Sequence, residues 1–107
     1  MILVTSDTIP GYKITKTIGL VRGNTIRARH IGRDFMAQMR NVIGGEVVEY
    51  TKLMAEAREQ ATDRMVAEAE KAGANAIVTV RFATEGLMSA AAELLVYGTA
   101  VTVEAEE

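Results

Sequence analysis

Cysteine and tryptophan are absent from this 107-residue chain, which holds one proline and one histidine. Without cysteine there are no disulfides, no thiolate zinc or iron–sulfur sites and no thiol nucleophile. A single histidine, His30, leaves little room for imidazole-rich metal centres or histidine-based catalysis. Aromatic residues make up 5% of the chain, too few for a base-stacking surface along single-stranded nucleic acid. No apolar run approaches the roughly 20 residues that a membrane-spanning helix needs. The first residues, Met1 to Asp7, lack the basic and long apolar segments of a secretory signal. A cytoplasmic protein is therefore the expectation.

What is present is an ordinary globular balance, 49% hydrophobic and 24% charged, at a length suited to one domain spanning residues 1–107. Net charge is only −2, but it is unevenly spread. Between Tyr12 and Arg40 stand seven basic residues against Asp34 alone, whereas 41–107 holds twelve acidic residues and five basic ones. Such asymmetry either marks a partner surface or reflects two solvated faces that differ.

Periodicity supplies the elements. Ile2 to Thr5 reads as a short strand and Pro10-Gly11 as a turn. From Tyr12 the pattern alternates, with Tyr12, Ile14, Ile18, Leu20 and Ile26 on one parity, which predicts a half-buried strand. Lys16 and Val21 break that parity, and Gly19 and Gly23 predict a bulge or a close backbone approach. Ile31, Phe35, Met36, Met39, Val42 and Ile43 recur at helical spacing, ended by Gly44-Gly45. A longer helix is predicted from about Glu49 or Tyr50 to Ala72, with Tyr50, Leu53, Met54, Ala57, Ala61, Met65, Ala69 and Ala72 on its apolar face. Gly73 then stands where a helix needs a left-handed residue to stop.

Beyond Gly73, one strand carries Ala76, Val78, Val80 and Phe82 on one side. A loop of uncertain shape fills Thr84 to Ala92. A last strand over Glu93 to Glu104 places Leu95, Tyr97, Thr99, Val101 and Val103 together, with Gly98 as a candidate bulge. Strands at both ends with helices between predict an α+β chain in ββααββ order, a two-layer α/β sandwich.

The ordered set Gly19-Leu20-Val21-Arg22-Gly23, Arg33-Asp34-Phe35, Ile43-Gly44-Gly45, Tyr50, Gly73-Ala74-Asn75-Ala76 and Gly98-Thr99-Ala100-Val101 resembles the YbjQ-like family of small prokaryotic proteins. That resemblance spans nearly the whole chain. It implies a dodecin-like subunit with a mainly antiparallel sheet, assembled as a homopentameric ring, and a heavy-metal ion as ligand. Arg29-His30 and Ser89-Ala90-Ala91-Ala92 depart from the family pattern.

Three chemistries compete with a purely structural role. Met36 and Met39 share a helix face, with His30 six residues before Met36, and thioethers suit Cu(I). The same methionines lie in the apolar stripe, however, where methionine is a common core filler. Acid–base or nucleophilic catalysis would depend on His30 or a carboxylate, and no Gly-x-Ser-x-Gly elbow is present. A small anion could be held by Arg27, Arg29, His30 and Arg33 where a strand enters a helix, although no phosphate-binding fingerprint accompanies them. The expectation is a non-enzymatic, self-associating binding or scaffold module, with a metal site (His30, Met36, Met39) and an anion site as alternatives.

Overall fold

The structure is a computed structural model, and it describes residues 1–27, 48–88 and 91–107. Within them the chain forms β1 (Ile2–Leu3), β2 (Tyr12–Arg27), α1 (Val48–Lys71), β3 (Ala76–Met88) and β4 (Ala91–Ala105). The helix predicted over 31–43 lies outside the described residues. The four strands make one sheet in the order β1-β3-β4-β2. β2 and β3 both run antiparallel to β4, and β1 runs parallel to β3. The sheet is thus mixed, which corrects the expectation of a mainly antiparallel one. β1 meets β3 only by way of the rest of the chain, so no hairpin imposes an antiparallel pairing on it.

Several local predictions hold. Pro10 and Gly11, the latter at φ +85°, form a turn closed by the Tyr12 N–H on the Ile9 carbonyl at 3.0 Å. Gly73 sits at φ +90° after α1. Its N–H donates to the Glu70 carbonyl at 3.0 Å, and the Ala74 N–H reaches back to Ala69 at 3.0 Å. Those two bonds form a Schellman cap, in which a left-handed residue lets the next amides satisfy the last helical carbonyls.

Within the predicted loop at 84–92, the described residues 84–88 and 91–92 are instead strand. β3 continues to Met88 and β4 begins at Ala91, so the two make a long hairpin. Glycine and small residues lowered the local strand signal, but pairing with a β-branched partner strand overrides that weak preference. Long strands give the chain an elongated shape of 57 × 24 × 16 Å.

Two cores form, one on each face of the sheet. On the first, Ala57, Ala61, Met65 and Ala69 of α1 pack with Val21, Ile77, Val80, Leu94, Val96 and Ala100. Alanines every fourth residue bring the helix backbone close to the sheet. Ala72, expected on that buried face, is exposed, because the helix has ended at Lys71. On the second face, Ala76, Val78, Val101 and Val103 are covered by Ile9, Ile2 and Val4 from the start of the chain. This second cover reaches only one end of the sheet.

Candidate functional site

Bulges decide which side chains each strand presents to which face. In β2 the register against β4 slips between Ile14 and Lys16 and again between Thr17 and Gly19. Beyond these slips Val21, Gly23 and Thr25 face α1 and are buried. Leu20, Arg22, Asn24 and Ile26 turn to the opposite face. The two slips cancel in parity, so Tyr12, Ile14, Leu20 and Ile26 all keep to the face away from α1 and are exposed: Val21, the apparent exception, is the core residue. Each unpaired residue shifts the two-residue period by one, so Lys16 and Thr17, between the slips, are displaced and the residues beyond Gly19 are not.

In β3 a single slip between Val78 and Arg81 does shift the period. Thr79 and Val80 together stand opposite Gly98, because Val78 pairs with Thr99 and Arg81 with Tyr97. Thr79 takes φ +55°, a costly conformation for a β-branched residue, and its N–H donates to the Ser6 carbonyl at 2.9 Å. The bulge turns Val80 toward the helix with Ile77, so Ala76, Val78 and Val80 do not share one side as the alternation predicts. Gly98 is not itself the bulged residue. It makes room for the bulge, since a Cβ there would lie 2.7 Å from Ile77 Cγ2 and 3.1 Å from the Val78 carbonyl oxygen.

Three polar side chains hold the frame. The Asn75 amide donates to the Val103 carbonyl at 2.9 Å and accepts from the Val103 N–H at 2.8 Å, copying the double bond of a paired strand residue. It therefore ties the end of α1 to β4 across 28 residues rather than bonding neighbouring backbone. Arg64 reaches from α1 to the Asn24 carbonyl at 2.6 Å. Buried Thr25 donates its hydroxyl to the Ala57 carbonyl at 3.3 Å.

Among the described residues nothing covers part of the face away from α1, and the outcome there is a bare area. Leu20 is 68% exposed, Ile26 55% and Tyr97 37%. Arg22 and Arg81 flank Tyr97 on the two neighbouring strands. Arg81 is held by bonds from its Nη1 to the carbonyls of Thr5 at 2.8 Å and Val80 at 2.9 Å. Next to this row, Asn24 donates to Glu93 at 3.1 Å. Exposed apolar side chains ringed by charge are the chemistry of a contact surface rather than of a reacting centre.

Of the residues predicted to bind a ligand, only Arg27 lies among the described residues. Arg29, His30, Arg33, Met36 and Met39 lie outside the described residues. Arg27 ends β2, its backbone paired with Ala92. Among the described residues no three of histidine, cysteine, aspartate and glutamate gather to hold a metal ion. An open cleft beside the ends of β2 and β4 is lined by Lys13, Glu104, Ala105, Glu106 and Glu107. Among the described residues no helix is long and apolar enough to cross a membrane. Leu20, Arg22, Tyr97 and Arg81 form a cluster that sequence spacing did not assemble. The available signal was the pair of parity breaks at Lys16 and Val21.

Comparison with known proteins agrees with this geometry. A UPF0145 protein of Methanosarcina acetivorans is 56% identical over 103 residues, covering 96% of this chain and 97% of that protein. A UPF0145 protein of Thermococcus kodakarensis is 56% identical over 107 residues, covering 100% and 95%. A crystal structure from Pediococcus pentosaceus, a DUF74-family protein of unknown function, superposes with a TM-score of 0.61 at 13% identity. It covers 97% of this chain and 98% of its own, and at that identity the likeness concerns fold alone. The family model YbjQ, described as "Putative heavy-metal-binding", matches residues 1–104. With that match over almost its whole length, the chain belongs to the YbjQ family.

Proposed function

We propose that this chain is a non-enzymatic binding or scaffold module that works as an assembly of its own copies, a homopentameric ring of dodecin-like subunits. In that reading a helix over 31–43 completes the ββααββ order and the two-layer sandwich. The observation that carries it is the bare sheet face, where Leu20, Ile26 and Tyr97 stand in water beside a finished core. Patches of this kind on a soluble chain mark interaction sites. The elongated shape agrees: a chain of this length folded as a lone sphere has a radius of gyration of about 13 Å, and this one has 17.3 Å. Sedimentation velocity at micromolar concentration tests the reading. The expected mass is five times the 11.6 kDa of one chain. A single 11.6 kDa species at all concentrations would refute it.

The family description favours a second reading, a heavy-metal site. The described residues do not fit one, since no trio of suitable donors converges there. The remaining candidates are His30, Met36 and Met39, and thioether sulfur selects Cu(I) over harder ions. Calorimetric titration with Cu(I), Zn²⁺ and Ni²⁺ separates the readings. Under the metal reading Cu(I) gives heat that Met36→Leu/Met39→Leu abolishes. Absence of heat from all three ions removes it.

A further inference from the structure

We infer that copies of this chain meet head to tail, the acidic outer ridge of α1 on one copy seating against the arginine-flanked bare face of the sheet on the next. The inference rests on the self-association proposed above and names the two surfaces that would make it. α1 buries the side bearing Ala57, Ala61, Met65 and Ala69. With about 3.6 residues per turn, Glu56, Glu59, Asp63 and Glu70 fall together on the side turned away from the sheet. All four are exposed. Of the nearby cations, Arg64 is directed aside to the Asn24 carbonyl, and exposed Lys52 stands one turn before Glu56, at the end of the ridge.

The complementary surface lies on the other side of the sheet. Arg22 and Arg81 bracket Tyr97 there, with Leu20 and Ile26 to either side. The nearest acids on that face, Glu93 and Glu85, stand in the row of Ile26, and Asn24 already engages Glu93. Among the described residues, Arg22 and the four ridge carboxylates have no hydrogen-bond or ion-pair partner.

Dimensions match as well as charge. From Glu56 to Glu70 the ridge runs about 21 Å at 1.5 Å per residue. From Leu20 to Ile26 the strand runs about 20 Å at 3.3 Å per residue.

Geometry then fixes the mode of association. Ridge and patch lie on opposite sides of one sheet, so a subunit cannot bring its own two surfaces together. Each copy offers one surface to each of two neighbours. That is a heterologous contact, which closes into a ring when the rotation per step permits. The apolar side chains supply the burial, and the charges set register and exclude ridge-to-ridge encounters.

Charge reversal tests the pairing. Arg22→Glu places a like charge against the ridge and is expected to weaken self-association about 100-fold in sedimentation equilibrium. Glu59→Arg, a solvent-facing helix substitution, should weaken it by a similar factor. The chain carrying both changes should regain most of the lost affinity, a recovery that nonspecific damage would not give. Far-UV circular dichroism of each variant checks that the fold is intact. If the wild type associates but neither reversal changes its affinity, or the double variant stays as weak as the singles, the head-to-tail pairing is wrong while self-association stands. If the wild type stays monomeric, self-association itself fails.

Discussion

Gly23→Ala is expected to lower folding stability by about 3 kcal/mol, at the upper end of what forcing an extra methyl group into a packed core costs. A Cβ at this position would lie 2.0 Å from the Ala61 carbonyl oxygen, 2.6 Å from the Met65 backbone nitrogen and 3.0 Å from Arg64 Cβ. Two of these three atoms belong to helix backbone, which cannot swing aside as a side-chain tip can. Relief would require α1 to lift from β2, and that would strip contacts from Ala57, Ala61 and Met65 together. For a domain of this size the loss corresponds to a fall in melting temperature of about 15 °C. Melts should be compared at one fixed protein concentration, since self-association would add its own stabilisation. Gly86→Ala is the control. A Cβ there meets nothing within 4 Å, so its effect should stay within about 0.5 kcal/mol. Equal melting of Gly23→Ala and wild type would mean that α1 does not rest on β2 at Gly23.

Met65→Ala should cost about 3 kcal/mol for the opposite reason, by emptying space rather than overfilling it. Met65 has no exposed surface and is among the largest wholly buried side chains of the chain. It lies in the same cluster as Val21, Leu94, Val96 and Ala100. Its neighbours one turn away on that face, Ala61 and Ala69, are too small to take up the vacated volume, and Val66 packs only at the edge of the cluster. Met65→Leu keeps the volume, and its cost should remain under about 1.5 kcal/mol. Urea denaturation midpoints at constant m-value read both changes. A Met65→Leu variant as damaged as Met65→Ala would contradict a packing role and point to the sulfur itself.

Both substitutions concern the same seam, and the sequence discloses one side of it better than the other. The buried row of α1 follows from a 3.6-residue period within one continuous segment, so Ala57, Ala61, Met65 and Ala69 are legible without a structure. The facing row of β2 is not. Alternation correctly indicates a strand over Tyr12–Arg27, but it places Leu20 and Ile26 inward, and they are among the most exposed apolar residues. The two slips of register in β2 cancel, so the buried face is set by where α1 comes to rest, against Gly23, and that contact is made by a segment far along the chain. Likewise, nothing adjacent to Asn75 announces that its amide will close on Val103. The bare face inherits this dependence, since Leu20, Arg22, Tyr97 and Arg81 become neighbours only through strand pairing.

By itself, the sequence determined the family, the identity of the elements among the described residues apart from the 84–92 segment, and the stop after α1. Each rests on residues close together in the chain: a glycine able to take φ +90°, a helical repeat of alanines, an alternating β-branched run. Only the tertiary structure decided the parallel placement of β1, the facing of β2 and β3, and the Arg22–Tyr97–Arg81 surface. Those features depend on bulges and cross-strand register. They are chosen by the competition between distant segments for the same hydrogen bonds and the same core, and a local pattern carries no record of that competition.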